Sequence, residues 1–123
     1  MIYNEKYQVK FYLDGRTRKF PVVEYLKSLD YKIRQKVNKY IEVLKDNGGY
    51  LDEPYSRHIK GKIRELRVDF SNHRHRILYF SFVNKNIILL HAFTKKTQKI
   101  PERELVIAEK NYQDVINNYK SYE

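Results

Sequence analysis

The chain has 123 residues, a formal net charge of +10 at pH 7 and no cysteine. The absence of cysteine excludes disulfides, thiolate zinc sites and a cysteine nucleophile, and no apolar run is long enough to cross a bilayer. We therefore expect a single domain over residues 1–123 that buries roughly two-thirds of its unfolded surface and has no membrane partner. Because a chain without cysteine suits a reducing compartment and the N-terminus lacks a signal-peptide pattern, we also expect a cytoplasmic location.

The first elements that the pattern predicts are a strand and a short helix. Residues 7–13 alternate between apolar and polar side chains, which is typical of a strand, and Asp14 with Gly15 signals a turn. Pro21 has the position that proline prefers in the first turn of a helix. The apolar residues that follow it would form the buried side of that helix.

A second helix is indicated by apolar residues at spacings of three and four between Ile33 and Leu44. The Asn-Gly-Gly sequence at 47–49 ends it, because glycine readily adopts the backbone conformations that terminate helices. Residues 50–58 are predicted to be a loop, because Pro54 disfavours regular structure.

From residue 63 the apolar pattern changes to the alternation of strands. Strands are predicted at 63–70, 74–83 and 87–95, joined by short turns into an antiparallel meander, and the last of them is apolar enough on both faces to be central. A final helix follows Pro101. The predicted fold is α+β with the order β-α-α-β-β-β-α, in which two N-terminal helices and a C-terminal helix cover an antiparallel-rich sheet on one side.

The positive charge is concentrated in residues 57–99, which coincide with this sheet. The segment contains eleven Lys or Arg against two acidic residues, and therefore +9 of the net +10, together with all four histidines. A basic surface on a small domain attracts polyanions such as nucleic acid.

Alternation along the strands predicts which side chains share the outer face of the sheet. If Leu66 packs against the helices, Glu65 and Arg67 point away from them. Arg76 has the alternation of apolar residues on its own strand, so a bulge near 73–76 would be needed to bring it to the outer face.

The last strand is expected to contribute to the same outer face. With Ile88, Leu90 and Ala92 packed inward, the residues of opposite alternation point outward, namely His91, Phe93 and Lys95. Neighbouring strands would thus bring a carboxylate, a guanidinium, an imidazole, an aromatic ring and an ammonium group together.

These groups match the needs of RNA cleavage by the RNA's own 2′-hydroxyl. That reaction requires a base near the hydroxyl, cations around the phosphate and an acid for the leaving oxygen, and it requires no metal or other cofactor. Glu65 and His91 are the alternative bases, and Phe93 or Tyr79 would stack on a nucleobase. The cations that would stabilise the transition state are Arg67, Arg76, and Lys95 or Lys96.

The order of elements and three stretches of sequence resemble the RelE/HigB family, most closely its HigB-like, phage-derived branch. The stretches are IRELRVDF at 63–70, the strand containing RILY at 76–79, and LLHAFTKKTQKIP at 89–101. Members of this family are messenger-RNA-cleaving toxins of bacterial toxin–antitoxin pairs. The resemblance extends from about residue 5 to about residue 118.

The resemblance implies a microbial ribonuclease-like fold and ribosome-dependent endoribonuclease activity in the decoding site, leading to inhibition of translation and growth arrest. It implies three kinds of contact: a cognate helix-turn-helix antitoxin, messenger RNA on the ribosome with ribosomal RNA, and operator DNA only through the antitoxin. The family's strand arginine falls on Arg76, and the basic positions of the preceding strand fall on Glu65 and Arg67. Its basic pair after the last strand falls on Lys95 and Lys96. Position 65 is lysine in RelE proper and glutamate here, as in the HigB-like branch.

The candidate catalytic residues are Glu65, Arg67, Arg76, His91 and Lys95. The candidate RNA-binding residues are basic or aromatic: Lys60, Lys62, Arg64, Arg74, Tyr79, Phe93, Lys96 and Lys99. We expect no metal site, because His73 and His75 have a compatible spacing but no third ligand is indicated.

Two other functions are compatible with the predicted fold. The related ParE branch shares the fold, and that likeness implies a toxin that traps DNA gyrase without cutting RNA. A module that binds RNA without cleaving it is the other. The retained basic residues of the sheet favour the nuclease. At the level of single residues, Glu65 and Arg67 can also be read as a surface ion pair, and His91 as a core histidine.

Overall fold

The computed structural model describes residues 6–96 and 99–123, which form a mixed α+β fold. In these two ranges five strands make one sheet: β1 (Gln8–Phe11), β2 (Ser56–Lys60), β3 (Ile63–Phe70), β4 (His73–Phe82) and β5 (Asn86–Lys95). The helices are α1 (Pro21–Lys27), α2 (Tyr31–Asp46) and α3 (Glu102–Asn117), with short 3-10 turns at Val83–Lys85 and Tyr119–Tyr122. The predicted fold class is confirmed, and the order of elements, with one strand more than predicted, is roughly consistent with a RelE-like fold.

Helix α2 illustrates how the local pattern determines an element. Its residues Val37, Ile41 and Leu44 are buried along one side, as the spacing predicts. The helix ends at Asp46, and Gly48 and Gly49 then take positive φ values of 69° and 85°, which glycine adopts without a Cβ penalty. The predicted helix end at 47–49 is confirmed.

Strand β2 lies partly inside the segment 50–58 that the sequence predicts to be a loop. It pairs antiparallel with β3 at the edge of the sheet and places Arg57 opposite Glu65. The loop prediction is wrong for this part, because the strand is held by hydrogen bonds to β3 rather than by an alternating pattern of its own.

The strand order in the sheet is β1-β5-β4-β3-β2, with β1 parallel to β5 and every other neighbouring pair antiparallel. Strand β5 therefore lies between β1 and β4, as its apolar run predicts. None of the helices in the described ranges combines the length and the apolar composition needed to span a membrane.

The two N-terminal helices share one face, as predicted, but α3 covers the other face, so the prediction that helices lie on one side only is wrong. Helices α1 and α2 enclose one core with sheet residues that include Leu66, Ile77 and Leu89. Helix α3 encloses a second core, which includes Leu78 and Phe80, on the opposite face, called the α3 face below. Strands that are apolar on both faces require cover on both, because exposed apolar surface is unfavourable.

A bulge in β5 changes which residues of that strand point to the α3 face. Leu78 lies opposite His91 and Tyr79 lies opposite Leu89, so Leu90 is an extra residue between the two pairs. As a result Ile88 and Leu90 join the core under α3, whereas Ala92 joins the core under α1 and α2. The predicted inward set of Ile88, Leu90 and Ala92 is therefore divided between the two faces.

Candidate functional site

The α3 face carries chemistry-bearing side chains in adjacent rows across β3, β4 and β5. The rows are Glu65, Leu78 and His91; Arg67, Arg76 and Phe93; and Asp69, Arg74 and Lys95. Neighbouring strands are about 4.8 Å apart, so side chains of adjacent rows and strands reach each other. We call Glu65, Arg67, Asp69, Arg76 and Lys95 the charged cluster.

Arg76 reaches this face without the bulge predicted near 73–76, because its alternation with Leu78 and Phe80 is that of the α3 core. Its side chain is only 1% exposed. Nη1 donates to Asp69 Oδ1 at 2.7 Å and to the His75 carbonyl oxygen at 3.0 Å. Arg76 is therefore a buried cation that depends on neighbouring acceptors.

Glu65 is the buried anion of the charged cluster and is also 1% exposed. Its Oε1 lies 3.4 Å from Arg67 Nε, and its Oε2 lies 3.8 Å from Arg76 Nε. Both distances are those of ion pairs, yet Glu65 Oε2, Arg67 Nε and Arg76 Nε have no hydrogen-bond partner in the described part of the chain. Buried polar atoms normally have one, so in the described part of the chain these three atoms depend on ion pairing instead.

Lys95 completes the charged cluster from the end of β5, where it is 8% exposed. Burial lowers the pKa of its ammonium group, and the nearby Arg76, Arg67 and Arg57 lower it further, against an opposite effect of Glu65. An ammonium group with a lowered pKa is a better proton donor near neutral pH.

His91 forms a mostly buried pair with an acid that the sequence analysis did not consider. Its Nε2 lies 2.6 Å from Oε1 of Glu104, in the first turn of α3. The imidazole ring stacks on Phe93, with ring centroids 5.8 Å apart. A carboxylate in this position orients the ring.

A family model described as phage-derived protein Gp49-like (DUF891) matches residues 24–113, which include the whole charged cluster and His91. The chain belongs to this family. Gp49-like proteins are toxins of toxin–antitoxin systems and are related to RelE and HigB, so the family implies an antitoxin as partner. No curated protein matches the chain.

Two predicted RNA-binding residues of this Gp49-like toxin are buried, and a third lies on the face of β3 opposite the charged cluster. Tyr79 is fully buried in the core under α1 and α2, where its hydroxyl bonds to Ser56 Oγ at 2.8 Å and donates to the Gly49 carbonyl at 3.0 Å. Its predicted role as a stacking platform is therefore wrong. Phe93 is buried in the α3 core and supports His91. Arg64 donates to Ser56 Oγ at 3.2 Å, on the opposite side of β3.

The other predicted basic residues are exposed around the sheet. Lys60 forms an ion pair with Glu109 of α3 at 3.0 Å, and Lys62 lies in the turn between β2 and β3. Lys99 is exposed before α3. The remaining two border a cavity of about 310 Å³ beside the charged cluster, lined by Asn72, His73, Arg74, Thr94, Lys95 and Lys96.

Arg57 and Asp69 are members of this surface that sequence reasoning missed. Arg57 was missed because β2 was predicted to be a loop and its sequence, SRHIK, has no alternating pattern. Asp69 has the alternation of Glu65 and Arg67, and this could have identified it. The rings of His73 and His75 are 6.3 Å apart, but across residues 6–96 and 99–123 no group of three or more potential ligands is placed to hold a metal.

Proposed function

We propose that this Gp49-like toxin is an endoribonuclease of the HigB-like type, which cleaves messenger RNA on the ribosome by attack of the RNA's own 2′-hydroxyl. The observation that carries the proposal is the charged cluster, in which three cationic side chains surround one buried carboxylate on a single face. Membership of a toxin family supports a role in growth arrest that an antitoxin reverses.

In this reaction a base takes the proton of the 2′-hydroxyl, the oxygen attacks the adjacent phosphorus, and the 5′-oxygen leaves with a proton from an acid. The products are a 2′,3′-cyclic phosphate and a 5′-hydroxyl. Arg67 and Arg76 would oppose the charge that develops on the phosphoryl oxygens. Lys95, with its lowered pKa, would be the acid.

His91 is the base that we favour over Glu65. The carboxylate of Glu104 lies 2.6 Å from the imidazole Nε2 and would hold the ring in a fixed orientation for proton transfer. Glu65 is instead engaged by the two guanidinium groups of Arg67 and Arg76, which makes it the residue that positions them.

Exposed cations extend the proposed RNA-binding surface beyond the charged cluster. Arg57 lies beside Glu65 on β2, and Arg74 and Lys96 lie at the cavity next to Lys95. We assign phosphate contacts to them, because exposed basic side chains bind a nucleic-acid backbone without regard to sequence. The proposed partners are messenger RNA with ribosomal RNA, and a helix-turn-helix antitoxin through which alone the pair would reach operator DNA.

The proposal is tested by adding purified protein to a translation reaction and mapping the new 5′ ends on the message. We expect cuts inside codons, a large loss of cutting for Lys95→Ala, and full activity for the control Lys39→Ala, an exposed lysine of α2. Messages that stay intact would refute the nuclease. DNA breaks that depend on gyrase would indicate a ParE-like toxin instead.

A further inference from the structure

Asp69 is an exposed carboxylate that covers a buried guanidinium. Its side chain is 60% exposed, whereas the side chain of Arg76, to which it is bonded at 2.7 Å, is 1% exposed. The backbone of Asp69 is held by a separate contact, because Lys36 Nζ donates to the Asp69 carbonyl oxygen at 2.7 Å. The side chain can therefore leave Arg76 while the strand stays in place.

The two acids near Arg76 differ in what their departure would cost. Glu65 is buried, so moving it away from its partners would leave a desolvated carboxylate without compensation. Asp69 only has to rotate further into water, where its charge is fully solvated. Of these two, Asp69 is the acid that an incoming anion can replace.

A phosphodiester is the anion that fits the vacated position. Phosphate and carboxylate oxygens accept the same short, charge-assisted hydrogen bonds from a guanidinium group. The cavity of about 310 Å³ lined by Arg74, Lys95 and Lys96 adjoins this position, since Arg74 faces both Asp69 and Lys95 across the strands. An approaching phosphate would meet these cations before it reaches Arg76.

We propose that Asp69 fills an inner phosphate site at Arg76 in the free toxin, and that a phosphodiester of the bound RNA displaces it. This inference rests on the proposed function for the identity of the ligand, and it adds a self-blocking contact to that site. The carboxylate neutralises Arg76 until RNA arrives and thereby weakens binding to anions in general. Removing its charge should make this side chain easier for an anion to displace from Arg76.

The test measures binding rather than cleavage. The probe is a single-stranded RNA of about eight nucleotides with 2′-O-methyl groups throughout, which cannot undergo 2′-hydroxyl attack. Asp69→Asn should bind it about two- to fivefold more tightly than wild type, the range expected when an exposed ion pair no longer competes. The slope of log affinity against log salt should be the same for both proteins, because the phosphodiester contacts Arg76 in both complexes.

Two controls separate the inner site from a general effect of charge. Lys36 is the residue of α2 that contacts Asp69, and Asp46 lies about 15 Å further along the same helix. Asp46→Asn removes the same charge at that distance and should leave affinity unchanged. In an Arg76→Gln background, Asp69→Asn should no longer tighten binding. The inference would be overturned if Asp69→Asn and wild type bound with equal affinity, or if neither bound measurably. It would also be overturned if Asp46→Asn tightened binding as much as Asp69→Asn, or if Asp69→Asn tightened binding equally in the Arg76→Gln background. If Asp69→Asn bound the RNA more tightly but the wild-type protein cleaved no message, the inner phosphate site would be supported and the proposed nuclease activity would be refuted.

Discussion

The substitution Glu65→Gln removes the one carboxylate that lies between two guanidinium groups of the charged cluster, while keeping the size of the side chain. Glu65 and Arg76 are each 1% exposed, whereas Asp69, the other acid paired with Arg76, is largely exposed. Removing one partner of a buried ion pair costs about 3–5 kcal/mol, and an exposed pair contributes about 1 kcal/mol or less. We therefore expect Glu65→Gln to lower the free energy of unfolding by about 3 kcal/mol, and Asp69→Asn by no more than about 1 kcal/mol.

Urea unfolding followed by circular dichroism measures both values, with Asp69→Asn as the matched control on the same guanidinium. A loss of about 3 kcal/mol is a large part of the about 5–15 kcal/mol by which single domains are stable. The double variant Glu65→Gln/Arg76→Met should be less destabilised than the sum of its single variants, because no buried charge of that pair is left. If Glu65→Gln lost no more stability than Asp69→Asn, the buried pair would not hold the cluster together and our account of Glu65 as a positioning residue would be refuted.

Three further outcomes follow from the site and its surroundings. Lys95→Arg keeps the positive charge, but an arginine cannot donate a proton near neutral pH. Single-turnover cleavage of a ribosome-bound message should therefore slow by about a hundredfold. An unchanged rate would show that Lys95 is not the acid. Glu104→Gln should reduce the same rate while leaving RNA affinity within twofold of wild type, because it changes the residue that orients His91. A lower RNA affinity with an unchanged rate would show that Glu104 does not act through His91. The pKa of His75 is lowered mainly by burial, and further by His73 and Arg76, against an opposite effect of Asp69. As the pH falls, the unfolded chain therefore protonates this imidazole before the folded chain does. The free energy of unfolding that depends on His75 is thus highest above about pH 6.5 and falls as the pH drops from that value toward the lowered pKa of the folded chain. A urea midpoint that keeps the same pH dependence in His75→Asn would contradict this.

Much of the fold follows from local patterns. The helical spacing and the Asn-Gly-Gly stop predict α2, and alternation with short turns predicts β3, β4 and β5, since these signals act between residues that are close along the chain. Strand β2 has no such signal. Its position is stabilised by backbone hydrogen bonds to β3, so Arg57 could not be assigned to the site from the sequence.

The candidate site was only partly predictable. Alternation correctly groups Glu65 with Arg67, and His91 with Phe93 and Lys95. It cannot tell which of two apolar faces a helix will cover, and for this reason Arg76 was predicted to need a bulge. The bulge that exists lies at Leu90 in the neighbouring strand.

By itself, the sequence determined the α+β class, the strands β3, β4 and β5 and the concentration of positive charge in the segment that contains them, because composition, spacing and alternation are properties of the chain. Only the tertiary structure decided that α3 packs opposite α1 and α2, that Glu104 meets His91, and that Arg76 and Glu65 lie beneath the surface while Asp69 remains exposed. The physical reason is that burial and ion pairing depend on which elements pack against a face, and no local pattern records that choice.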